Sequence, residues 1–137
     1  MARILHADDE ITARRVARWA LENDGHQVTD VDGGKQAVRS AIEDRPDLIL
    51  LDRRMPDLDG LDVLRALRGN ETTRHIPVIM ITSVQEPRDV GDVLQEGVAA
   101  YVMKPYEREK LVRAVNRALT RQGETAGVEE PTAARSA

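Results

Sequence analysis

Cysteine is absent from the 137 residues, which excludes a disulfide framework, thiol catalysis and a thiolate metal site. A long apolar run is also missing: Met1-Ala2 leads straight into Arg-Ile-Leu. Neither a signal peptide nor a membrane span is therefore expected, and the expected location is the cytoplasm. Basic charge is not in excess. The 20 Lys and Arg residues face 24 Asp and Glu, a net charge of −4. No dense Lys/Arg cluster breaks that balance, which argues against direct contact with nucleic acid. What is present, 41% hydrophobic and 32% charged residues, is the composition of one globular domain with a single core.

Residues 47–60, Asp-Leu-Ile-Leu-Leu-Asp-Arg-Arg-Met-Pro-Asp-Leu-Asp-Gly, organise the chain. The apolar run 48–51 reads as a strand buried on both faces, as in a parallel sheet covered by helices above and below. Asp52 ends it, where open α/β sheets place their chemistry. Asp59 before Gly60 signals the N-cap of the next helix. Around this stretch, strands are expected over 4–7, 26–31 (polar, suited to a sheet edge), 77–82 and 98–103. Helices are expected over 11–24, 36–44, from 61 to near 69, over 87–96, and over 107–121. The helix over 11–24 carries Ala13, Val16, Ala17, Ala20 and Leu21 at helical spacing, with Trp19 outside that stripe and Gly25 placed to close it. The helix over 87–96 contains Gly91 and a thin apolar stripe, and is expected to be among the looser elements. Strand then helix, repeated five times, implies right-handed crossovers and an α/β three-layer sandwich around a parallel sheet.

In such a sheet every strand points the same way. Asp8 and Asp9 after the first strand, Asp52 after the third, Thr82 after the fourth and Lys104 after the fifth therefore emerge at one rim. Three carboxylates in one crevice repel each other unless a cation neutralises them, and an all-oxygen donor set suits Mg²⁺. An ammonium and a hydroxyl facing the metal complete a shell for an anion with several oxygens, and a phosphoryl group fits. Asp52 is then the acceptor, forming an aspartyl phosphate whose charge Mg²⁺ and Lys104 offset. Singly, each of these residues also has a bland reading. Asp52 could cap a turn, Lys104 could snorkel at a strand end, and Thr82 could be a turn hydroxyl. His6, His26 and His75 form no partner pattern and read as structural or solvated.

These residues resemble the receiver domain of two-component response regulators, of the single-domain, chemotaxis-regulator-like kind. The resemblance rests on Asp8-Asp9, the run from Asp52 to Gly60, Thr82, and Tyr101 followed by Lys104-Pro105. It spans residues 1–121. It implies a flavodoxin-like (βα)5 fold with a five-stranded parallel sheet of order 2-1-3-4-5. It also implies roles. Asp52 accepts the phosphoryl group from a phosphohistidine of a sensor histidine kinase or histidine phosphotransfer protein, and the domain assists its own phosphorylation and dephosphorylation. Asp9 and Asp52 ligate Mg²⁺ directly, Asp8 helps through water, and the backbone carbonyl of Arg54 is a further ligand. Thr82 and Lys104 hold phosphoryl oxygens, the Lys104-Pro105 bond is cis, and Tyr101 is a switch aromatic. The surface of the fourth helix, fifth strand and fifth helix would then control a downstream protein target.

Two positions depart from the family's commonest pattern, Ser83 after Thr82 and Arg54 two residues after the acceptor, and both are expected to tune the lifetime of the phosphorylated state. The competing enzyme reading is an aspartyl-phosphate-forming, Mg²⁺-dependent phosphohydrolase, but that class needs a second acid where Arg54 stands. A flavin-binding domain of the same topology would need a phosphate cradle where residues 7–10 read Ala-Asp-Asp-Glu. A scaffold that no longer takes phosphate is disfavoured by the intact acids, Thr82 and Lys104. Residues 122–137 turn to Gly, Glu, Thr, Ala and Pro and read as a flexible tail or linker, with no output domain in the sequence.

Overall fold

The computed structural model describes residues 1–83, 97–104 and 107–127, with the backbone alone at 83 and 122–127. Along them run β1 (Arg3–Ala7), α1 (Ile11–Asn23), β2 (Gln27–Val31), α2 (Gly34–Asp44), β3 (Leu48–Asp52), α3 (Gly60–Arg68), β4 (Val78–Ser83), β5 (Ala100–Lys104) and a final helix, α4 (Arg108–Gly127). All strand pairings are parallel, in the order β2-β1-β3-β4-β5. The flavodoxin-like order is thus the one the family resemblance implies. The helix expected over 87–96, the Lys104-Pro105 bond and the side chain of Ser83 lie outside the described residues.

The central strands are apolar on both sides because they serve two cores. On one face, Leu5, Ile49, Leu51, Val78 and Met80 pack against Ala37 and Ala41 of α2 and Val63, Leu64 and Leu67 of α3. On the other, Ile4, Leu48, Leu50, Ile79 and Ile81 pack against Ala17 and Leu21 of α1 and Leu111 and Val115 of α4. Successive strand side chains point to opposite faces, so one run fills both layers. Each fully buried aliphatic side chain contributes roughly 1.5–3 kcal/mol relative to exposure. The polar strand β2 lies at the sheet edge, as its composition requires.

Helix bounds differ from the sequence reading in instructive ways. Helix α2 begins at Gly34, two residues earlier than expected, because the Asp57 carboxylate accepts from the amides of Gly34 and Lys35 at 2.8 and 3.0 Å. A loop residue thereby caps a helix whose own N-cap, Gly33, has no side chain to do so. Helix α4 runs to Gly127 rather than 121, since nothing before Pro131 forbids helix and one interior Gly costs only about 1 kcal/mol. Val16, assigned to the apolar stripe of α1, is 40% exposed, because the buried arc is limited to Ala17, Ala20 and Leu21. Trp19 is exposed as expected, with the Arg108 guanidinium 4.5 Å from its ring centroid, a cation–π contact between α1 and α4. Gly25 closes α1 at φ +92°, a conformation that favours glycine.

Candidate functional site

The loop after β3 is folded tightly enough to dictate its residues. Arg53 donates its amide to Ile81 O at 2.7 Å, and Gly60 donates back to Arg53 O at 2.8 Å. A Cβ on Gly60 would lie 2.5 Å from the carbonyl oxygen of Asp52 and 2.8 Å from the Cα of Arg53, so only glycine permits this approach. Asp59 then caps α3 by accepting from the Leu61 amide at 2.8 Å, and accepts from buried Arg53 Nε at 2.9 Å. These bonds fix where β3 ends. Asp52 stands there, 4% exposed.

Parallel register gathers the other groups at the same rim. Ala7 pairs with Leu51, Asp52 with Ile81, Thr82 with Met103, and Ser83 with Lys104. Asp8 follows β1 directly, fully buried, with its amide donating to Val31 O at 3.1 Å; Asp9 beside it is exposed. Oxygens of Asp8, Asp9 and Asp52 all lie within 4.8 Å of one another. Lys104 Nζ sits among the acids: 3.0 Å from Asp8 Oδ2, 3.0 Å from Glu10 Oε1 and 3.5 Å from Asp52 Oδ2. Its aligned hydrogen bond goes to Glu10, whereas no donor among the described residues is aligned on Asp8 Oδ2 despite the short ion-pair contact. Buried Thr82 Oγ1 and Tyr101 Oη likewise have no hydrogen-bond partner among the described residues. Arg54 is exposed, and its amide approaches Asp52 Oδ1 at 3.4 Å.

Electrostatics follow from this packing. Burial, reinforced by the Asp8 charge, pushes the Asp52 carboxyl up to about 7, although Lys104 pulls the other way. For Lys104, burial opposes the charge but is outweighed by Asp8, Glu10 and Asp52, which raise its pKa above the ordinary lysine value. The arrangement is short of positive charge. A cluster of hard oxygens in which one buried carboxylate oxygen lacks a donor and another carboxyl keeps its proton near neutrality fits a divalent cation.

Two neighbours flank these groups: Glu10, which the sequence reading left out of the site, and His6, which it read as structural or solvated. Glu10, mostly exposed, joins the rim only because the β1–α1 turn aims it at β5, 94 residues away. His6 is fully buried, with Nε2 3.8 Å from Asp8 Oδ2 and Nδ1 3.8 Å from Asp30 Oδ1. Burial outweighs both acids and lowers its pKa to about 4, so it stays neutral, a structural histidine. His26 is structural too: Nδ1 accepts from the Ala2 amide at 3.1 Å, and Nε2 lies 3.0 Å from Asn116 Oδ1. Neither histidine bears a signal in the sequence beyond its identity.

The chain belongs to the response regulator receiver domains: the family's model matches residues 4–116. Protein PilH of Pseudomonas aeruginosa is 35% identical over 87% of this chain and 98% of its own length. Transcriptional regulatory protein ResD of Bacillus subtilis is 33% identical over 90% of this chain but only 50% of its own length. The chain spans about half the length of most of the curated relatives it matches. Among solved structures, the receiver domain of sensor histidine kinase PA1611 from Pseudomonas aeruginosa is 37% identical, covers 87% of this chain and 98% of its own, and superposes with a TM-score of 0.80. That structure holds a magnesium ion in its active-site cleft. As a receiver domain, this chain is a phosphorylation-dependent signalling element rather than a metabolic enzyme. No helix among the described residues is long and apolar enough to cross a membrane.

Proposed function

We propose that Asp52 is the phosphoacceptor of this receiver domain and that the rim assists the transfer. The observation that carries this reading is the Lys104 ammonium 3.5 Å from Oδ2 of Asp52, itself 4% exposed, at the rim where oxygens of Asp8, Asp9 and Asp52 lie within 4.8 Å of one another. An oxygen of Asp52 attacks the phosphorus of a phosphohistidine on a sensor kinase or phosphotransfer protein. The P–N bond breaks, its electron pair stays on the imidazole, and a mixed anhydride, the aspartyl phosphate, remains. Attack by water on phosphorus reverses the state, releasing inorganic phosphate and the carboxylate. Asp8, Asp9, Asp52 and the backbone carbonyl of Arg54 would hold Mg²⁺, which when bound supplies charge neutralisation at the phosphoryl oxygens. Lys104 and the unpartnered hydroxyl of Thr82 donate to those oxygens.

Phosphorylation adds about −1.5 to −2 charges at this rim. Thr82, one residue past the register partner of Asp52, is drawn toward them, and Tyr101, part-buried against the α2–α3 core, turns into the space released. The readout surface comprises residues 87–96, β5 and α4, and it selects a downstream protein in the cytoplasm. Arg54 at the rim, and Ser83 beyond Thr82, set how long the anhydride lasts.

The test is intact-mass analysis after incubation with acetyl phosphate and Mg²⁺. Wild type gains one phosphoryl group; Asp52→Asn gains none, and a chelator abolishes the gain. Undiminished labelling of Asp52→Asn would overturn the assignment.

A further inference from the structure

Glu10 occupies the N-cap position of α1, yet its side chain makes no capping bond to the helix. It spends its reach on Lys104 instead, with Oε1 3.0 Å from Nζ. The turn that permits this is itself braced: the Glu10 amide donates to Asp8 Oδ1 at 2.9 Å, and Arg14 Nη1 donates to Asp8 O at 2.7 Å. An ammonium has three N–H donors, and here three carboxylates lie within 3.5 Å of it. Of the three contacts only the one to Glu10 is an aligned hydrogen bond, so a phosphoryl oxygen arriving on Asp52 competes with Glu10 for that donor. The Asp8 side chain is fully buried and the Asp52 side chain is 5% exposed, whereas Glu10 is 63% exposed. Water can take over the bonds of Glu10, but not those of the other two.

We infer that Glu10 is a positioning residue, which parks the Lys104 ammonium at the rim before phosphorylation and is the partner surrendered when a phosphoryl group arrives. It rests on the phosphoacceptor reading and adds a competitor to it. Glu10 keeps the lysine raised over the acids, and it also weakens the site for the incoming anion by the strength of one exposed ion pair. Its removal makes the site a better phosphoryl binder.

Beryllofluoride, a tetrahedral stand-in for a phosphoryl group on a carboxylate, reads this without chemistry. It is titrated in the presence of Mg²⁺ against wild type, Glu10→Gln and Glu10→Asp, with binding followed by fluorine NMR and folding by thermal melts. Glu10→Asp keeps the charge but is one methylene too short to reach Nζ. Both variants should bind about two- to five-fold tighter than wild type, the range of an exposed ion pair. Unchanged or weaker binding by Glu10→Gln overturns the inference. So does a Glu10→Asp variant that matches wild type while Glu10→Gln tightens, because the charge and not the contact would then be responsible. Should Glu10→Gln fail to fold, Glu10→Asp decides alone, since it differs from wild type only in reach. Failure of wild type to bind beryllofluoride or to take phosphate from acetyl phosphate would instead overturn the phosphoacceptor reading itself.

Discussion

Asp52 is poised between two charge states. With its pKa near 7 from burial and the Asp8 charge, the folded chain keeps a proton that the unfolded chain, near 3.9, has already lost. Between about pH 4 and 7 the folded state binds more protons, so on this group alone stability falls as pH rises through that window. A divalent cation displaces the proton. Mg²⁺ affinity should therefore climb by up to about tenfold per pH unit below 7 and level off above it, and the rise in thermal midpoint on adding Mg²⁺ should be larger at pH 8 than at pH 5.5. Calorimetric titration at pH 6, 7 and 8 measures the first, and a flat profile would mean that Asp52 is already ionised. At this scale the main groups of the site were legible in the sequence. Asp8, Asp9, Asp52, Thr82 and Lys104 each follow an apolar strand run, and parallel strands must bring such ends to one rim. Glu10 was not legible, because its partner is chosen by the path of a turn and not by any local pattern.

Elements show where local patterns stop being sufficient. The strands and the apolar faces of α2 and α3 follow from periodicity, since burial enforces it. The start of α2 does not, because its cap comes from Asp57, 23 residues away from Gly34. Those backbone donors hold the Asp57 carboxyl below its ordinary value. The stabilisation is therefore present above the unfolded carboxylate pKa and lost as pH falls through the depressed one. Asp57→Ala should cost about 1 kcal/mol at pH 7, and the difference from wild type should shrink in strongly acidic buffer. Paired denaturant titrations at the two pH values check this. The same cap ties the loop that follows Asp52 to a helix on the far side of Gly33, so the variant should also loosen the acceptor loop. For α1 the failure is of another kind: alanines make its buried arc narrow, and Val16 falls outside it.

At the scale of the whole chain, the last core residue among the described side chains is Ala118 of α4. Leu111, Val115 and Ala118 of α4 lie in the second core. Removing 122–137 should change stability by no more than about 0.5 kcal/mol and leave acetyl-phosphate labelling intact; a larger loss in thermal melts would make that segment part of the domain. Strand–helix alternation and handedness fix a covered parallel sheet but not its strand order, which came from the resemblance to the receiver family. Lys104, finally, comes from the edge strand β5, whereas the acids it touches come from the first half of the chain. During synthesis the negative groups leave the ribosome long before their counterion does. The nascent chain thus carries an uncompensated electrostatic debt until its last strand docks, and that docking is rewarded by charge as well as by burial.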